Sequence, residues 1–144
     1  MPTMVKNVLV VDGSGWLPIW GNLIIEDQVI KEMAFGENVL ITEEPRCDKI
    51  LSYKYDDFPG KTAPQAYLIP GLKDGMTMAD YQEELDQILA DVKTGTKIEK
   101  AFRKLTGYGT GQREFLVRGS TANFMIVDKP ATKILTAFTA GKEL

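Results

Sequence analysis

Histidine is absent from all 144 residues. That absence removes both the usual near-neutral proton shuttle and the commonest metal ligand. Within a single chain it excludes Ser-His and Cys-His nucleophile pairs and any imidazole-held metal. Only carboxylate, lysine, tyrosine or lone-thiol chemistry is left. Cysteine occurs once, at Cys47, so no internal disulfide can form and a cytoplasmic location is expected. No apolar run approaches the ~18 residues of a membrane span, so no membrane partner is expected. Met1-Pro2-Thr3-Met4-Val5-Lys6 lacks the charged-then-apolar layout of a secretion signal. Basic excess is missing too. Lys+Arg number 17 against 20 Asp+Glu, a net charge of -3, and no basic field draws nucleic acid.

What is present is an ordinary globular balance, 44% hydrophobic and 26% charged. The length suits one domain, 1–144, with strands over 1–78, a helical hairpin over 79–106 and strands again over 107–144. It is too short for a (β/α)₈ barrel, which needs about 250 residues. Asn7–Val11 is an apolar run closed by Asp12-Gly13-Ser14-Gly15, so strand then turn is expected. Asn22–Glu26 and Val29–Met33 flank Asp27-Gln28, a two-residue hairpin loop although Gln28 is a poor choice for positive φ. Val39–Thr42, Asp48–Tyr55 and Ala66–Ile69 read as further strands.

After Met78 the hydrophobic period changes from two to 3.6. Tyr81, Leu85, Ile88, Leu89 and Val92 share one helical face, with Asp80, Glu83, Glu84, Asp86 and Asp91 set mainly opposite. Thr94-Gly95 ends that helix, and Thr96-x-x-Glu99 has the pattern of a capping box opening a second, which carries Ile98, Ala101, Phe102 and Leu105 and is stopped by Gly107-Tyr108-Gly109. The short connection predicts an αα-hairpin on one side of a sheet. Glu114–Val117, Asn123–Val127 and Ile134–Thr139 return to strand character.

Ile69-Pro70-Gly71-Leu72-Lys73-Asp74-Gly75-Met76-Thr77-Met78 resembles the strand end that opens the barrel of amidohydrolases, metal-dependent hydrolases of the dihydroorotase and D-aminoacylase kind. In that family Asp-Gly precedes a His-x-His metal pair. Here the two places hold Met76 and Met78. The resemblance continues on both flanks. Val8–Gly13 with Gly21–Ile30 is similar to the family's opening strand and hairpin. Ile98–Gly107 is similar to its last barrel helix. Gly119–Asp128 is similar to the strand after the barrel, with Asn123 where aspartate is usual, and Thr139–Leu144 to the closing strand. These pieces cover both ends of a family enzyme and omit its middle. The resemblance therefore implies the composite β-sandwich of such enzymes without the catalytic barrel.

No residue is assigned a catalytic, cofactor-binding or metal-binding role, and no cofactor is expected. Met76 and Met78 are soft donors of a kind that suits Cu(I). Two thioethers at i, i+2 make an incomplete site, so packing is the reading adopted. Lys73 and Asp74, at the place of the barrel mouth, are read as a solvated ion pair in a turn rather than an acid/base pair. Cys47 beside Arg46 has no base to activate it. Gly107-Tyr108-Gly109-Thr110-Gly111 follows a helix instead of opening one, so it is a connection and not a phosphate loop. Asp56-Asp57 lacks EF-hand spacing. Trp16, Trp20, Tyr53, Tyr55 and Phe58 form an aromatic group suited to covering by a second protein chain.

The fold expected is α+β: a β-sandwich or rolled sheet built from both chain ends, with an inserted αα-hairpin. The function expected is a non-catalytic, barrel-less amidohydrolase-like module, working as a homodimer or with another protein chain. Two alternatives stand beside it. One is a hydrolase of cyclic amide or N-acyl C-N bonds whose metal ligands come from a partner chain. The other is a carrier that holds a small molecule in an aromatic-lined cavity between sheet and helices.

Overall fold

A computed structural model describes residues 2–11, 17–36, 45–53, 66–106, 118–128 and 133–144. The turn expected at 12–15, the strands at 39–42 and 114–117, the Asp56-Asp57 loop and the 107–111 connection lie outside these residues, as do Trp16, Tyr55 and Phe58.

The described part is α+β, with eight strands in one mixed, open sheet and two helices. The strands are β1 (Thr3–Val10), β2 (Ile19–Glu26), β3 (Val29–Phe35), β4 (Lys49–Ser52), β5 (Ala66–Pro70), β6 (Phe124–Asp128), β7 (Ile134–Thr139) and β8 (Lys142–Glu143). The order across the sheet is β3-β2-β1-β5-β6-β7-β8, and β4 also pairs with β1. β1 begins four residues earlier than expected. Thr3 to Lys6 pairs in parallel with Lys49 to Ser52, whereas Leu9 and Val10 pair in parallel with Tyr67 and Leu68. Between the two halves Asn7 takes a φ of 61° and breaks the β1–β2 register. A short amide side chain tolerates that left-handed conformation better than most.

The Asp27-Gln28 hairpin forms as expected, both residues with positive φ (54° and 72°). Ala140-Gly141 turns β7 into β8 in the same manner, at φ 51° and 76°. The two turns abut. Ala122 joins them, its N–H donating to Gln28 O at 2.9 Å while its carbonyl accepts from Gly141 N at 3.0 Å.

Alternation along the central strands divides the core in two, because successive side chains point to opposite faces. Val5, Val8, Leu23, Ile30, Leu68, Phe124, Ile126 and Phe138 fill one side. Ile69, Met125, Val127 and Ala137 point to the other, where helices α1 (Met78–Val92) and α2 (Ile98–Leu105) cover them with Tyr81, Leu85, Ile88, Ala101 and Phe102. The αα-hairpin is thus the outer layer over β5, β6 and β7.

Two helix details differ from expectation. Glu84 was set on the polar face, yet it is buried alongside Leu85. The expected Thr96–Glu99 capping box does not form: Lys97 is the N-cap without a side-chain bond, and Glu99 is buried. The box lies on α1 instead. Thr77 Oγ1 accepts from Asp80 N at 3.2 Å, and Asp80 Oδ2 accepts from Thr77 N at 2.9 Å. Aspartate fills the place usual for glutamate, its shorter arm still reaching the N-cap amide. Among the described residues no helix is long and apolar enough to cross a membrane.

Candidate functional site

The turn after β5 carries the residues singled out from the sequence. Pro70 closes β5 because it has no N–H to donate. Gly71 N then donates to Asn123 O at 3.0 Å, holding the chain against the start of β6. A side chain on Gly71 has no room: a Cβ would stand 3.0 Å from Tyr81 Oη and 3.1 Å from Met76 Sδ.

From there the turn is fastened at three points. Leu72 N donates to Glu84 Oε1 of α1 at 3.1 Å. Asp74 Oδ1 accepts from Asn123 Nδ2 at 2.7 Å. Met76 O accepts from the Thr139 hydroxyl at 2.5 Å. Asn123 also accepts from Ala140 N at 2.8 Å through its own Oδ1. One asparagine side chain therefore joins the turn after β5 to the β7–β8 turn.

Met76 and Met78 do not converge. Met76 is 4% exposed and packs in the outer core with Tyr81, whereas Met78, the first residue of α1, is 43% exposed. Lys73 and Asp74 are both exposed, but the solvated pair expected between them is replaced. Asp74 bonds to Asn123, and the Lys73 charge acts on Asp80. Hydrogen bonds from the Thr77 backbone and hydroxyl hold Asp80 below the usual carboxylate range, with Lys73 adding to them.

The electrostatics of the site centre on Glu84, expected on the polar face of α1 and found buried. Its carboxyl is pushed up to about 8 by burial, with the Leu72 amide pulling the other way. Oε2 is buried and has no hydrogen-bond partner. Tyr81, one turn earlier, donates its hydroxyl to Phe138 O at 2.6 Å, and burial raises it to about 12. Tyr67 is also raised, by burial and then by the Glu99 charge. A protonated Glu84 could donate or accept, but it lies beneath the turn and not in an open pocket.

Of the expected aromatic group, Trp20 and Tyr53 are among the described residues. Trp20 Nε1 donates to Asn7 Oδ1 at 2.9 Å, and Asn7 Nδ2 donates to Ser52 Oγ at 3.3 Å, beside Tyr53. Asn7 N donates in turn to Asn22 Oδ1 at 3.0 Å. This buried amide network satisfies the polar groups where β1 changes neighbour. Tyr53 packs on the inner core, and burial followed by the Glu143 charge raises it to about 12.

Cys47 is half-buried and lines a separate open cleft of about 290 Å³ with Pro2, Ile24, Glu26, Lys31 and Arg46. That cleft is on the β2–β3 side, away from Lys73 and Asp74. Among the described residues no cluster of three or more His, Cys, Asp or Glu side chains is placed to hold a metal ion. In comparison with known proteins, no family model matches the chain and no curated protein matches it.

Proposed function

We propose that the chain is a non-catalytic, barrel-less module of amidohydrolase type that works by binding a second protein chain, a copy of itself first among the options. The observation that carries this reading is the closed state of the turn after β5. In the family that the sequence resembles, this turn delivers two metal ligands into a barrel. Here Met76 is packed into the outer core and the turn is tied down by Glu84, Asn123 and Thr139.

The topology supports the same reading. β5 lies between the N-terminal strand β1 and the C-terminal strand β6, so both ends of the chain meet at the strand that leads to this turn. In a composite domain the two flanks of a larger enzyme would meet in that way.

Light scattering combined with metal analysis of the purified chain tests the proposal. The expected result is a particle of twice the 16.0 kDa chain mass, with metal well below one ion per chain and no hydrolysis of cyclic amides or N-acyl amino acids. Stoichiometric zinc accompanied by such hydrolysis would overturn it in favour of an enzyme completed by a partner. A strictly monomeric particle would overturn self-association.

A further inference from the structure

A carboxyl group that helps to hold the turn after β5 is sealed beneath the helical layer. Glu84 is 3% exposed on the face of α1 turned toward the sheet. It makes one hydrogen bond, through Oε1 to the Leu72 amide, and its Oε2 is buried and unpartnered. A neutral acid tolerates such a place, whereas a carboxylate there sets a charge against hydrocarbon with a single donor to relieve it.

The surrounding groups offer little help. On α1 itself the near group is Tyr81, whose hydroxyl is committed to Phe138 O. On the turn, Lys73 and Asp74 are exposed, and Asp74 is bonded to Asn123. β7 contributes Thr139, uncharged and bonded to Met76 O. α2 contributes the buried Glu99, whose charge acts on Tyr67. Among the described residues no cation counters the burial of Glu84.

We propose that Glu84 is a proton-held latch of the αα-hairpin. With its proton on, α1 seats against the turn and the sheet. When the proton passes to solvent, α1 lifts and uncovers the apolar outer face of Ile69, Met125, Val127 and Ala137. The upward displacement of the Glu84 carboxyl to about 8 puts this event just above neutrality. The chain has no histidine to titrate alongside it, and Tyr67 and Tyr81 are both moved upward, away from this range. The device does not depend on what the chain binds.

Hydrogen exchange followed by mass spectrometry on the full chain tests it, at about pH 6 and about pH 9 and corrected for the intrinsic pH dependence of exchange. In the unmodified chain, protection over 78–92 and 98–105 is expected to fall about tenfold or more, since opening grows by up to about tenfold per pH unit between the carboxyl's ordinary value of 4.5 and its folded value of about 8 and levels off above it. β1, β2 and β6 should keep their protection. In Glu84→Gln the hairpin's protection should not change with pH. Equal hairpin protection at both pH values, a fall shared equally by the sheet, or the same fall in Glu84→Gln would each overturn the latch. If Glu84→Gln does not fold, the ¹³C carboxyl shift of Glu84 in the unmodified chain decides. Its midpoint must coincide with the midpoint of hairpin opening, and separate midpoints would overturn the proposal.

Discussion

At the scale of single residues, the decisive choice is Asn123. Its side chain gives an N–H to Asp74 and takes one from Ala140, a pairing that needs both an amide donor and an amide acceptor. Asn123→Asp would set two carboxylates at the 2.7 Å separation now bridged by a hydrogen bond. A loss of roughly 1–3 kcal/mol is expected in urea unfolding at neutral pH. The loss should shrink as the pH falls into the carboxylate range, where one acid takes up a proton and can donate. Pairing it with Asp74→Asn should recover most of it, and equal losses in both backgrounds would show that the contact contributes nothing. Gly141 makes a second case. It has a φ of 76°, and a Cβ there would come within 2.8 Å of Gln28 Cα. Because the obstacle is backbone, Gly141→Ala should lower stability by roughly 1–3 kcal/mol in the same assay. The sequence marks Asn123 as a departure from the pattern it resembles, but not its partner. Asp74 is 49 residues away in the chain, and no local period reports on such a distance.

Whole elements were more legible than their ends. The period of Tyr81, Leu85 and Ile88 locates α1, and Asp27-Gln28 locates a hairpin, because burial on one face and a tight turn each leave a local trace. Caps leave a weaker one. Thr96-x-x-Glu99 satisfies the pattern but not the geometry, since α2 starts at Ile98 and Lys97 occupies the cap. Thr77-Met78-Ala79-Asp80 has aspartate in the third place and forms the box. Thr77→Ala should therefore lower stability by about 1 kcal/mol, whereas Thr96→Ala should stay within about 0.5 kcal/mol of the parent. Thermal unfolding of the two variants side by side checks this, and the reverse order would restore the expected box. The expected placing of Glu84 on the polar face fails for a related reason. Glu84 is three residues from Tyr81 and four from Ile88, squarely on the apolar face, yet its charge suggested the solvent side. Strand order was beyond reach altogether. The division of β1 between β4 and β5 turns on the backbone conformation of Asn7 and on the buried amides that it meets.

For the whole molecule, Glu84 and Asp80 set the dependence of stability on pH from opposite sides. Burial pushes the folded Glu84 carboxyl up to about 8 from an ordinary 4.5, so the folded chain holds this proton more tightly than the unfolded one. Its contribution is complete below 4.5 and is lost as the pH rises through about 8. Within that window the slope approaches about 1.4 kcal/mol per pH unit, the value for one proton taken up by the folded state alone. Asp80 runs the other way. Its folded value is lowered from 3.8, so its stabilising bonds to Thr77 are present above that value and disappear as the pH falls. Greatest stability is therefore expected on the acid side of neutrality, where Asp80 is ionised and Glu84 is not. Urea midpoints taken across this range should fall steadily toward alkaline pH in the parent. In Glu84→Gln they should be flatter, because an amide has no proton to lose at that position. Parallel curves for the two proteins would mean that the buried carboxyl is relieved by solvent. The carboxyl of Glu84 would then not couple folding to pH near neutrality.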